Sequence, residues 1–344
     1  MSLTKTAYQS RNNIKFGGLA FITLVLLIAI FKIGVTAYKN SRVVKVEPNV
    51  KYGILPKIVF PTKEFTPKTF TFETPNDVFP KFDNQARVYI VFRTDKSFLA
   101  LEQETETARD MGFTEKGIDT GNNIFEFKNA SNQTLRINIL DGSFRLSYPY
   151  GDDQILMANK SVPDKEEAKE KAKSFLQSVD RFPKDLEKGS QISTFYRIEG
   201  GSLKQVTSQS EANLVRVDFY RENFDNEVKI VSTESNKAPI SLLLSGSGVG
   251  SRNIVEVDYK YVNIDRESYA TYPTRTLDEA MSELKNGKYW PVSDISNDKV
   301  ILRNIYLAYF EPISLTNFMQ PVYVFEGDNN FIAYVSAVSD KFTK

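Results

Sequence analysis

Two glutamates near the end of the chain are the residues best spaced for chemistry. Glu311 and Glu326 close neighbouring apolar strand segments, and a pair of carboxyl groups flanking one bond is what glycoside hydrolysis uses. The same residues also read as turn chemistry: Glu311-Pro312 as a strand exit, Glu326-Gly327-Asp328-Asn329 as a hairpin turn. The run Ser245-Gly246-Ser247-Gly248-Val249-Gly250 raises a phosphate loop, which needs a helix directly after it so that free N–H groups face the phosphate. Here Ile254-Val255-Glu256-Val257-Asp258-Tyr259 follows and alternates like a strand, so the run reads as a flexible hairpin loop. Asp152-Asp153 and Asp83-Asn84 lack EF-hand spacing. Ser296-Asn297-Asp298-Lys299 matches S-x-x-K without its partner motifs.

Composition narrows the remaining chemistry. Among 344 residues there is no cysteine and no histidine. Disulfides, thiolate nucleophiles, thiolate zinc sites and imidazole bases are therefore excluded. No cofactor or metal site is expected, and no catalytic residue is assigned. Lys and Arg number 44 against 43 Asp and Glu, a net charge of +1. A nucleic-acid binder needs a basic surplus to neutralise phosphates, so none is expected here.

The elements that would place these residues begin with an anchor. Phe16–Phe31 contains no charge, and the apolar run resumes after Lys32 to Tyr38. That length spans the roughly 30 Å hydrocarbon layer as a helix, with Lys32 able to snorkel and Tyr38 suited to the interface. Residues 1–15 then form a cytoplasmic tail. A cleaved signal peptide is the alternative, with Val35-Thr36-Ala37 as the processing site. Basic residues flank both ends, so charge does not set the orientation. The bulk of the chain is placed outside the cell membrane because long domains translocate largely regardless of charge. Gly17, Gly18, Ala20 and Thr23 are small enough to let a second membrane helix approach.

Residues 39–85 carry Pro48, Pro56, Pro61, Pro67, Pro75 and Pro80 between β-prone pieces and read as an extended stalk whose Phe70-Thr71-Phe72 alternation predicts docking on the next domain. An α+β pattern follows, in which a short amphipathic helix precedes antiparallel strands. Helices are predicted at Ser97–Met111, Asp164–Val179 and from Thr276, the last with a T-x-x-E capping box. Asp141-Gly142 predicts a type I′ hairpin. These runs divide the chain into modules at 86–150, 160–235 and 236–344, each expected to pack its helix on its own strands.

The segments Leu307-Ala308-Tyr309-Phe310-Glu311-Pro312 and Gln320-Pro321-Val322-Tyr323-Val324-Phe325-Glu326-Gly327 resemble the C-terminal unit of YycH/YycI-type extracytoplasmic regulators. The helix-plus-strands runs are similar to PepSY-like domains, and the whole plan resembles single-anchor membrane proteins of candidate-phyla bacteria. The resemblance implies a non-enzymatic protein that binds and tunes a partner in the membrane. Tyr309, Glu311, Pro312, Gln320, Pro321, Tyr323 and Glu326 mark it and form the candidate partner surface. The expected function is a single-pass, membrane-anchored regulatory or interaction protein. A structural subunit of an envelope assembly and a carboxylate-dependent glycan hydrolase are the alternatives.

Overall fold

The computed structural model describes residues 31–32 and 47–344, apart from 66–67, 74–77, 93–97, 226, 234–237, 247–249, 294–296 and 312–315. The chain divides into two compact units, Met1–Glu47 and Pro48–Lys344, and the second holds nearly all the described residues. Among these no helix is long and apolar enough to cross a membrane. The expected anchor 16–38, with Gly17, Gly18, Ala20 and Thr23, lies outside them except for Phe31 and Lys32.

The second unit is an α+β structure dominated by sheet. In chain order it runs β1 (Thr69–Phe72), β2 (Gln85–Val91), α1 (Phe98–Asp110), β3 (Ile118–Asp119), β4 (Ile124–Lys128), β5 (Thr134–Asn138) and β6 (Phe144–Ser147). Next come α2 (Gln154–Ala158), α3 (Lys165–Ser178), α4 (Lys184–Glu187), β7 (Gln191–Glu199), β8 (Ser202–Val206), β9 (Leu214–Phe219) and β10 (Lys229–Val231). The final stretch is β11 (Ile240–Ser245), β12 (Ile254–Tyr259), β13 (Ile264–Pro273), α5 (Leu277–Lys285), β14 (Trp290–Pro291), β15 (Lys299–Phe310), β16 (Phe318–Gly327) and β17 (Phe331–Ser336).

Helix ends follow the local chemistry of the sequence. Asp164 caps α3 by accepting from the Glu166 and Glu167 amides. Thr276 and Glu279 complete the capping box of α5. Gly112 and Gly287 take the left-handed conformation just past α1 and α5, with φ of +86° and +76°. The turn between β5 and β6 differs from expectation. Only Gly142 has positive φ there, whereas a type I′ turn needs it at both central residues. The Asp141 carboxylate instead accepts from the Ser143 amide and hydroxyl, which holds a wider loop closed by Asn138 and Ser143.

The strands assemble into two sheets. The first is antiparallel, in the order β3-β4-β5-β6-β12-β11-β9-β7-β8. Its inward residues include Phe127, Ile137, Leu146, Val217, Leu242 and Val257, and they pack with Ala108 of α1 and with Ala168, Ala172 and Leu176 of α3. The second follows β1-β15-β16-β17-β14, with β10 also on β15, β2 on β16 and β13 on β2. Ala280 and Leu284 of α5 cover one face of it. The sheets do not divide at the module boundaries 86–150, 160–235 and 236–344. The β11–β12 hairpin sits between β6 and β9, and β2 pairs with strands some 180 to 230 residues later.

The described part of the proline-rich stretch docks as its alternation predicts. Leu55 is fully buried and exchanges backbone hydrogen bonds with the C-terminus, Leu55 N–H to the Phe342 carbonyl and Lys344 N–H to the Leu55 carbonyl. Phe60 stacks on Trp290 at 5.6 Å and meets Phe310 edge-on at 5.0 Å. The Trp290 indole N–H donates to the Pro61 carbonyl. Phe70 packs on Tyr289 and Phe331 on the opposite face. Trp290 is the only tryptophan of the chain, so it reports on this docking. Phe60→Ala is expected to shift its emission to the red and to cost about 2 kcal/mol in a denaturant titration.

Candidate functional site

A gathering of ionisable residues lies where the chain passes between the two sheets. Residues 220–231 leave β9 and become β10, and residues 260–264 leave β12 and become β13. Arg221 stands at the first crossing with 2% of its side chain exposed, and its Nη2 lies 2.9 Å from Glu311 Oε1, just past β15. That nitrogen donates its hydrogen bond to the Val262 carbonyl at the second crossing. Glu311 Oε1 therefore has the ion pair but no hydrogen bond, and Arg221 Nε and Nη1 have none either. Asp185 of α4 lies 3.7 Å from Arg221 Nη1 and 3.8 Å from Arg266 Nη2, and accepts from the Tyr261 hydroxyl. The Tyr261 ring stacks under the Arg221 guanidinium at 4.3 Å. Burial outweighs the attraction of Arg221 and pushes the Glu311 carboxyl above the usual range.

A second knot sits beside the first. Asp225 accepts from the hydroxyls of Tyr89 and Tyr309 and from Arg87, each at 2.5 Å. Both tyrosines are 1% exposed. Burial, reinforced by Asp225, holds both phenols protonated well above the ordinary tyrosine range. The Arg87 guanidinium covers the Tyr269 ring at 4.1 Å. The second knot thus ties the connecting segment to the second sheet, while the first brings together groups from both sides of the crossing. Next to them opens a cavity of about 560 Å³ lined by Lys188, Ser190, Arg221, Glu222 and Glu227. Its wall is tight at one point, since a Cβ on Gly189 would sit 1.8 Å from the Tyr220 carbonyl oxygen.

The residues expected to form a partner surface are mostly inside. Tyr309, Glu311, Gln320 and Tyr323 are 1–6% exposed, and Pro321 is buried. Gln320 donates to the Pro56 carbonyl and Tyr323 to the Arg275 carbonyl. Pro312 lies outside the described residues. Glu326 is half-exposed and accepts from Tyr306 and Asn304. The aromatic character that singled these residues out is that of a strand packed on both faces. The expected surface is corrected for these five: in this fold the Tyr309, Glu311, Gln320, Pro321 and Tyr323 side chains are core.

Glu311 and Glu326 do not form a catalytic pair. Glu326 lies opposite Asn304, whereas Glu311 lies beyond the Phe310–Gln320 pair at the other end of the same ladder. At the rise of an extended strand the two are about 20 Å apart, too far to flank one glycosidic bond. The glycine-rich run is a packing device at Gly246, where a Cβ would meet the Ser161 carbonyl at 2.1 Å. A single turn of 3₁₀-helix and then β12 follow it. Asp153 caps α2 and pairs with Arg252 at 2.9 Å. Among the described residues no group of three or more acidic side chains is placed to hold a metal ion.

The residues that sequence reasoning missed are Arg221, Asp185, Asp225 and Arg87. None sits in a motif. The available signal was weaker: Arg221 and Asp225 fall in a run with little periodicity between two strands, where a fold must cross from one sheet to another.

No protein-family model matches the chain, and no curated protein does. Among solved structures it is similar to an uncharacterised protein from Eubacterium rectale, at 12% identity over 75% of this chain and 84% of that one, with a TM-score of 0.40. It is also similar to the C-terminal domain of Bacillus megaterium YpeB, at 13% identity over 72% of this chain and 95% of that one, with a TM-score of 0.29. Scores this low leave the function to be argued from the chain's own residues.

Proposed function

We propose that this chain is a non-catalytic interaction protein, tethered to the cell membrane by residues 16–38, that presents its α+β unit outside and binds a protein partner in the membrane or envelope. The regulatory role of the YycH/YycI-type proteins that it resembles is the form this would take. One observation carries the reading. The ionisable groups most able to do chemistry, buried Glu311 and Arg221 with partly buried Asp185 and Asp225, are engaged in holding the segments that cross between the two sheets. Reacting groups need access to a substrate, and Glu311 has 6% exposure.

The test is affinity purification of the full-length protein from its native membrane in mild detergent, with partners quantified by mass. A regulator recovers a membrane protein at well below one copy per chain, and crosslinkers at positions 17–23 capture it. Recovery in fixed stoichiometry with a large complex would make the chain a structural subunit. Recovery of no protein above a control membrane would overturn the proposal.

A further inference from the structure

The folded unit carries an apolar and basic strip near the point where the chain enters it. Leu55, fully buried, bridges to Thr343, and Lys57 N–H donates to the Lys344 carbonyl. Residues 51–59 therefore run beside 341–344, far away in sequence. Ile58 and Phe60 pack inward around Trp290, and Val50, Tyr52 and Phe342 pack on Tyr272 and Val338. The residues between them turn outward. Ile54 is 62% exposed and Val59 74%, with Lys51, Lys57, Lys341 and Lys344 exposed alongside.

The charge of the strip is one-sided. From Pro48 to Phe60 there are two lysines and no acid. None of the four lysines forms a salt bridge among the described residues. Asp340 on the neighbouring run is held by Arg275. Asp265 lies near Lys51, and one of its oxygens accepts from the Glu267 and Ser268 amides. Lysine is depleted where proteins bury surface against one another. Lysines around exposed aliphatic side chains suit an anionic bilayer, where ammonium groups meet headgroups and the apolar groups enter the boundary.

Chain length brings that surface within reach. Asn49 and Val50 are fixed to Thr271, and Lys51 follows directly. With 16–38 as the anchor, residues 39–47 reach at most about 30 Å when fully extended. A tether this short holds the bilayer at an effective concentration on the order of millimolar. Four lysines and two aliphatic side chains are too few to recruit a free protein, but they need only orient one already attached.

We propose that residues 51–59 and 341–344 rest on the surface of an anionic lipid bilayer, with the four lysines on the headgroups and Ile54 and Val59 in the interface. This rests on the tethered reading above and names the side of the unit that faces the membrane.

The chain has no cysteine, so Ile54→Cys and Val59→Cys each carry a single nitroxide label in the full-length protein. The labelled protein is placed in nanodiscs of phosphatidylcholine alone or with about 30% phosphatidylglycerol. In the anionic discs at about 0.1 M salt, collision with a water-soluble nickel chelate is expected to fall about threefold at both positions, while collision with oxygen rises. At about 1 M salt most of this difference should be lost. A label at Ile192→Cys on β7, where the side chain is 51% exposed, should not respond. Lys51→Glu/Lys57→Glu/Lys341→Glu/Lys344→Glu, all at exposed positions, should abolish the response at Val59→Cys. Equal nickel access in the two lipids would overturn the proposal. So would low access in both, which means that protein covers the strip, or a response that survives the four charge reversals.

Affinity purification from the native membrane separates this proposal from the one it rests on. A partner recovered while the labels ignore lipid charge would sink the strip and leave the interaction reading standing. A lipid response with no partner recovered would leave the strip standing and sink the function. Protein that washes free of the phosphatidylcholine discs would sink the tether, and the strip with it.

Discussion

Arg221→Met is expected to destabilise the protein by about 3–5 kcal/mol, read as a fall in the urea midpoint at unchanged slope. The variant leaves Glu311, 6% exposed, without its cation, and leaves the Val262 carbonyl without its donor. The long methionine side chain fills most of the space, so little of the loss comes from a cavity. The double variant Arg221→Met/Glu311→Leu should recover at least about 1 kcal/mol of that loss, because removing both charges also removes their desolvation. A loss below about 1 kcal/mol for the single variant would mean that water reaches Glu311. The pH dependence carries its own sign. The folded-state value of Glu311 is raised, so between the ordinary glutamate value and that raised value the native state keeps a proton that the unfolded chain has released. Stability from this group therefore falls as pH rises through that window. Glu311→Gln should remove this part of the slope.

Asp225→Ala is expected to cost about 3–5 kcal/mol by the same measurement. Two phenols, each 1% exposed, lose their acceptor at once, and Arg87 loses its carboxylate. Asp225→Asn keeps an acceptor oxygen and should cost roughly half as much. Asp225 has φ of +42°, a conformation that asparagine tolerates, so the amide variant isolates the lost charge from backbone strain. Equal losses for the two variants would assign the effect to the Arg87 pair instead of the phenols.

Most individual elements were legible before the structure. Caps at Asp164 and Thr276, the glycines after α1 and α5 and the apolar stripe of α3 are local signals, fixed by neighbours within a few residues. The ten-residue strand β13 escaped notice because Ile264–Pro273 carries Asp, Arg and Glu near its start and its ladder with β2 is irregular between Asp265 and Tyr269. The site was less legible than the elements. Tyr309, Gln320 and Tyr323 drew attention as aromatic and polar residues in strands, but nothing in a period of two says whether both faces are covered. Arg221 and Asp225 drew none, because what makes them important is a carboxylate ninety residues later and a tyrosine more than a hundred residues earlier.

The sequence by itself determined the chemistry that this protein cannot perform, the apolar run that precedes its folded unit, and its α+β character. Composition excludes by absence, and short-range periodicity sets helix and strand. Only the tertiary structure decided which strands share a sheet. It placed β11 and β12 in the centre of the first sheet, laid the proline-rich segment across the second, and turned the candidate surface around Tyr309 and Tyr323 into core. It also set β1 and β10, distant in sequence, parallel to β15 on the same side. Each of these depends on pairing between residues far apart along the chain, and side-chain type alone does not encode the partner of a strand.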